Sequence, residues 1–221
     1  SFSSADKHYA YRAYTHADYN LLAIDLESEE PGLWPLSLQL HRDLRPFSEP
    51  FEPDPYMEAP GFGHDDDTMW MQMRMLDGFG YAVVVQTPGI AMKFEPAADR
   101  ITGHLQDLRA RKIALRLTIV TGQDQSVAAL VRRGKEELAG WADVQELRQA
   151  HRQWWAEYWR KGWVSLPEKV IENLWYAEIY KIACCSRRGS QAPGQFGHWC
   201  GFADPPWRGD YHTNINIQQI Y

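Results

Sequence analysis

Three cysteines in 221 residues are too few for a disulfide framework. Cys184 and Cys185 are neighbours, and on a helix they point to different sides, so at most one of them reaches Cys200. Reduced, buried thiols are the expectation, and the redox compartment stays open. Basic runs are equally scarce. Arg132-Arg133 and Arg187-Arg188 are short pairs that suit solvated helix faces, and a formal charge of −6 with pI near 5.7 offers no phosphate footprint. Nucleic acid is thereby excluded as a partner. No apolar run reaches membrane-spanning length, and Ser1 opens no signal-peptide pattern. No membrane partner is expected. A leader removed beforehand would leave the same start, so secreted, periplasmic and cytoplasmic locations all stay open. Internal repeats and low-complexity segments are also lacking.

What is present is core-forming material, at 44% hydrophobic residues, enough for one large domain or two small ones. Its patterning changes near Gly122. Upstream, Asn20 to Glu27 and Trp34 to Arg42 carry apolar alternation around a Glu-Glu-Pro-Gly turn. Met69 to Leu76 alternates strictly, with four methionines facing one way and Trp70, Gln72, Arg74 and Leu76 the other. Methionine at strand spacing is adaptable core more often than a soft-metal row. Asp77-Gly78 signals a tight turn into Tyr81 to Gln86. With Ile90 to Phe94 and Lys112 to Val120, at least six strands and no long helix predict an antiparallel β-sandwich over residues 1–122.

Downstream the period becomes helical. Gln125 to Leu138 predicts a first helix starting near Ser126. Asp143 and Glu146 have capping-box spacing ahead of a second, whose face carries Val144, Leu147, His151, Trp154, Trp155 and Tyr158. Ser165-Leu166-Pro167-Glu168 opens a third, with proline tolerated in the first turn, an apolar stripe of Ile171, Leu174, Trp175, Ile179 and Ile182, and closure by Arg187, Arg188 and Gly189. Eight of the ten tryptophans lie between Trp141 and Trp207, so large aromatic seams or a carbohydrate cleft belong to the helical half. Packing is expected for Trp154, Trp155, Trp159, Trp163 and Trp175.

Three constellations offer chemistry. His64-Asp65-Asp66-Asp67 groups hard oxygen ligands but lacks the alternating spacing of a calcium loop. His198, Cys200, Asp210 and His212 have zinc-ligand types without a recurring zinc spacing. No metal or other cofactor is therefore assigned. The third lies in Pro205 to Tyr221, where aromatic rings stand beside amides and acids. Rings cover the apolar faces of a pyranose while amides and carboxylates hold its hydroxyls, so a carbohydrate is the expected partner. In an extended segment, the i, i+2 spacing of Asn214 and Asn216 would put both amides on one side, able to hold one water or hydroxyl. Neutral amides orient a water but do not take its proton, which needs a carboxylate. Asp204 and Asp210 are candidate acids, and the asparagines could equally satisfy loop backbone.

The segment SRRGSQAPGQFGHWC…DPPWRGDYHTNIN resembles the inverting α-L-fucosidase family of six-hairpin glycoside hydrolases, over about Ser186 to Tyr221 in motif and along the chain in architecture. The resemblance implies a β-sandwich, a helical linker over residues 123–164 and, over 165–221, the start of an (α/α)6 barrel. It implies that Asn214 and Asn216 position the attacking water, with the carboxylate acid and base beyond Tyr221. Twelve barrel helices of about 11–12 residues need well over the hundred or so residues after Gly122. The fold expected is therefore multidomain, β then α, with the barrel incomplete in this chain and no appreciable hydrolysis from these residues alone. The run Ile217 to Tyr221 and the stretch Gly194 to Trp199 depart from the family pattern, implying a changed sugar shell. Trp199, Trp207 and Tyr211 are the expected stacking rings, with His198 and His212 as hydroxyl contacts. A non-catalytic carbohydrate-binding scaffold and a phosphorylase of similar architecture remain the alternatives. The residues leave the oligomeric state open.

Overall fold

The computed structural model of the chain describes residues 2–4, 7–29, 36–42, 58–106, 109–141, 144–187, 189, 192–194, 209, 211–215 and 218. The chain divides into two compact units, residues 1–42 with 54–158, and residues 43–53 with 159–221.

The first unit holds ten strands: β1 (Phe2–Ser4), β2 (Lys7–Thr15), β3 (Leu21–Ser28), β4 (Ser37–His41), β5 (Gly61–His64), β6 (Thr68–Arg74), β7 (Phe79–Gln86), β8 (Met92–Pro96), β9 (Arg100–Leu105) and β10 (Lys112–Gln123). They form a seven-stranded sheet in the order β1-β2-β3-β10-β7-β6-β5 and a three-stranded sheet β4-β9-β8, with antiparallel pairing throughout the described ladders. Met69, Val85, Ile113 and Leu115 of the large sheet meet Met92, Ile101 and Leu105 of the small one, so a sandwich core lies between them. This is the β-then-α architecture expected from the periodicity. The methionine row is core, with Met69, Met71 and Met73 buried and Met75 half-buried. The Asp77-Gly78 turn joins β6 to β7, and Gly78 takes φ +88, a conformation that favours glycine.

Four strands were not anticipated. β2 reads KHYAYRAYT, in which the tyrosines fall on both alternations and Tyr11 is exposed while Tyr14 packs on the core, so its hydropathy signal is weak. β9 contains Gly103, whose Cβ position lies 2.9 Å from Met92 Sδ. Close approach of the small sheet's neighbours, not propensity, selects glycine there. β1 and β5 are three and four residues long, too short to show a period.

The large sheet's other face is covered by α1 (Val127–Gly140), followed by α2 (Val144–Arg160) and α3 (Lys169–Cys185). Ser126 caps α1 by accepting from the Ala129 amide, as the sequence suggested. Leu130, Val131 and Leu138 sink into Leu21, Ala23, Ala82, Val84 and Val120, each leucine worth roughly 1.5–3 kcal/mol of burial. Gly134 permits the approach, since a Cβ there would lie 2.6 Å from Val84 Cγ2. On this face Arg116 is buried and satisfied, donating to Asp25 (2.8 Å) and to the carbonyls of Leu115 and Ile24. Lys135 of α1 lies 3.7 Å above the Trp70 ring while pairing with Asp65.

α2 runs from the first unit to its last two residues in the second. His151, Trp154, Trp155 and Tyr158 share its half-buried stripe, with Trp154 stacked on Tyr158 at 5.4 Å. The proposed Asp143 cap lies outside the described residues. In the second unit α3 is capped by Glu168, whose carboxylate accepts from the Val170 amide. Pro167 therefore precedes the helix and does not occupy its first turn. The covered stripe is also rotated from expectation. Trp175, Tyr176, Ile179 and Ile182 are half-buried and Ala183 buried, whereas Ile171 and Leu174 are about half exposed. Trp163, expected to pack, is 72% exposed. Arg187 donates to the Ala183 carbonyl, a cation closing the last turn as anticipated, while Arg188 lies outside the described residues.

Candidate functional site

The candidate sugar site begins where α3 ends. Ser186 donates its amide to Ile182, the chain turns through Gly189 at φ +83, and Pro193 is fully buried. Of the residues singled out by sequence, Tyr211, His212 and Asn214 are described; Trp199, Trp207, His198 and Asn216 lie outside the described residues, as do Asp204, Asp210 and Cys200. Gly209 turns the chain at φ +67 just ahead of them. Tyr211 is 48% exposed, His212 half-buried and Asn214 exposed. An exposed phenol ring thus lies three residues from an exposed amide on one short segment.

The local backbone differs from the extended geometry assumed for the asparagine pair. Thr213 and Asn214 form a turn and Ile215 is helical. Asn216, the other member of the pair, lies outside the described residues.

The approach to this segment is built by α3. Glu172 accepts from the Leu166 amide at 2.6 Å and from Lys169 at 2.8 Å. The Lys169 bond first, then the amide, holds its carboxyl below the usual glutamate range. Tyr176 donates to the Val164 carbonyl and packs against Trp159 and Trp175 at 5.5 and 4.9 Å. These contacts fix the α3 entry and account for three of the aromatic side chains as packing. The thiols differ from expectation. Cys184 is exposed and Cys185 half-buried, because they sit on the helix's last turn; both are free. A contact with Cys184 raises the Tyr180 hydroxyl above its usual range, and burial raises the Cys185 thiol.

Of the zinc-type constellation only His212 is described, whereas His64 to Asp67 are tied into the surrounding structure. His64 stacks on Phe94 at 4.2 Å, Asp65 pairs with Lys135 at 2.6 Å, and Asp67 accepts from Thr68 at 2.7 Å. Asp65, Asp66 and Asp67 line an open depression with Gly89 and Ala91. Among the described residues, no group of three or more His, Cys, Asp or Glu side chains is placed to hold a metal ion. A cavity of about 150 Å³ between β4 and the large sheet was not foreseen from sequence; its lining, including Leu22, Leu40, Met69 and Leu117, is apolar apart from Gln39 and carries no reactive group. No helix among the described residues is long and apolar enough to cross a membrane.

Comparison with known proteins bears on the helical half. Residues 143–221 match the family model of the glycosyl hydrolase family 95 catalytic domain. That span covers α2, α3 and the whole candidate segment. No curated protein matches the chain. A similar solved structure is a protein named as a kojibiose phosphorylase from human microbiome, at 11% identity and a TM-score of 0.41, over 63% of this chain. The chain spans only 19% of that protein's length.

Proposed function

We propose that the chain is the N-terminal portion of an inverting glycoside hydrolase acting on α-L-fucosides or a related α-linked sugar. Residues 1–122 serve as the β domain, 123–164 as the linker and 165–221 as the opening of the catalytic barrel. Asn214 and Asn216 hold the water that attacks the anomeric carbon opposite the leaving group. Tyr211, Trp199 and Trp207 stack on the sugar, and His198 and His212 bind its hydroxyls. The observation that carries this reading is the catalytic-domain match over residues 143–221, which coincides with the segment where rings and amides concentrate. Inversion requires an acid and a base far enough apart to admit water, about 6.5–9.5 Å. In this reading both belong to the rest of the enzyme, and no cofactor takes part.

The test uses the complete protein that carries this chain. Release of free sugar with inverted anomeric configuration, followed by NMR, is expected without added phosphate. Asn214→Ala and Asn216→Ala should each lower kcat by about 10²-fold or more, the scale of losing a group that positions a reacting proton donor. Binding without turnover would replace the reading with a carbohydrate-binding scaffold, and strict phosphate dependence would replace it with a phosphorylase.

A further inference from the structure

Helix α2 is held to the β-sheet by a histidine joint. His16, just past β2, is 3% exposed, and both of its ring nitrogens are engaged. The Asp18 amide donates to Nδ1 at 3.0 Å, while Nε2 faces the Leu147 carbonyl of α2 at 3.1 Å. An amide N–H can only donate and a carbonyl can only accept. These partners therefore select the neutral imidazole with its hydrogen on Nε2. The His16 amide itself donates to Leu21, which fixes the ring's base on the sheet. His151 of α2 lies 5.8 Å from the His16 ring and 4.9 Å from Tyr14, and Tyr19 bridges from His16 (4.7 Å) to Trp141 at the end of α1 (5.6 Å).

From this geometry we infer that His16 is a pH-sensitive latch for α2, closed when neutral and released when protonated. A proton on Nδ1 would set one N–H against another and place a charge in a buried ring cluster. The second imidazole, His151 of α2, stands 5.8 Å from the His16 ring. Burial raises the Tyr14 phenol that packs on His151, and that phenol also feels Arg116 of β10, Asp25 of β3 and Arg148 of α2. Asp18 is the acid of the same turn, and its exposure leaves its carboxylate screened by water. The sign follows from the neutral form being the one the fold uses. The latch contributes its full stabilisation while the ring is neutral and loses it as falling pH protonates the ring.

The experiment is nitrogen-detected histidine NMR on the 221-residue chain between pH 7.5 and 5.0, paired with hydrogen exchange of α2 and β10 amides corrected for intrinsic rates. At pH 7.5 the His16 ring should show the Nε2–H tautomer. As it protonates, α2 amides at 147–158 should exchange about tenfold faster, the order of one lost buried hydrogen bond, while β10 keeps its protection. His16→Gln, which retains a donor toward Leu147 but does not titrate, should make α2 exchange independent of pH; His151→Gln should leave the dependence in place. Flat α2 protection, an Nδ1–H tautomer, or a pH response that survives His16→Gln and vanishes in His151→Gln would overturn the latch. Should His16→Gln fail to fold by near-ultraviolet circular dichroism, the unsubstituted chain decides: α2 loosening with His16 still neutral refutes the latch, and loosening that tracks its protonation supports it.

Discussion

Helices α1 and α3 are both amphipathic in sequence, yet they meet different fates. α1 buries Leu130, Val131 and Leu138 against the sheet, and Leu130 is 0% exposed. α3 buries Ala183 alone among its described residues and leaves Val170, Ile171, Leu174 and Tyr180 more than half exposed. The difference is the partner each face finds. α1 lies on a preformed pleated surface whose small residues, Ala23 and Ala82, accept leucine side chains. α3 is fixed mainly at its start, by Glu172, Lys169 and the Tyr176–Val164 bond, so its apolar face is ordered without being covered. An apolar stripe tells which side of a helix wants burial; only a neighbouring surface tells whether it gets it.

Truncation should break the comparison most sharply. Leu130→Ala should cost about 2–5 kcal/mol, read as the loss of protection of β10 amides by hydrogen exchange. Leu174→Ala, on the exposed stripe, should stay within about 0.5 kcal/mol of the parent. Equal losses would mean the two helices are covered alike.

Two glycines of α1 sharpen the same point with a smaller effect. Gly134→Ala pushes a methyl into the stiff Val84 side chain, at about 1–3 kcal/mol of overpacking against about 1 kcal/mol gained in helix propensity. Net destabilisation is expected. Nothing lies within 4 Å of a Cβ at Gly140, so Gly140→Ala should be neutral or stabilise by up to about 1 kcal/mol. Thermal unfolding of both variants checks the opposite signs.

The smallest effect belongs to the α3 entry. Glu172 is held below the usual carboxylate range, so its contribution is present above that range and lost as pH falls through its lowered value. Protection of the Leu166 amide should fade in that acidic window. A Leu166 amide lost in the imidazole range would contradict this assignment.

Much of the architecture was legible along the chain. Strict alternation at Met69 to Met75, the Asp77-Gly78 turn and the change of period near Gly122 all reflect local rules, in which strands alternate at two and helices repeat at 3.6. β2 was hidden because its tyrosines fall on both alternations and mark no single face, and β9 because Gly103 answers to Met92 across the strand pair. The candidate site was legible as chemistry, in rings and amides crowded near the C-terminal end. Its geometry was not, since Asn214 sits in a turn and helical residue 215 follows where an extended segment was assumed.

By itself, then, the sequence determined where strands give way to helices, which residues seek burial, and that residues 186–221 concentrate rings, amides and acids. Those properties depend on neighbours a few positions away. The tertiary structure alone decided that Asp65 pairs with Lys135, that Arg116 is buried because Asp25 and two carbonyls receive it, and that His16 joins the sheet to α2. Each of those outcomes rests on a partner 70 to 131 residues distant along the chain. Local spacing carries no record of such partners.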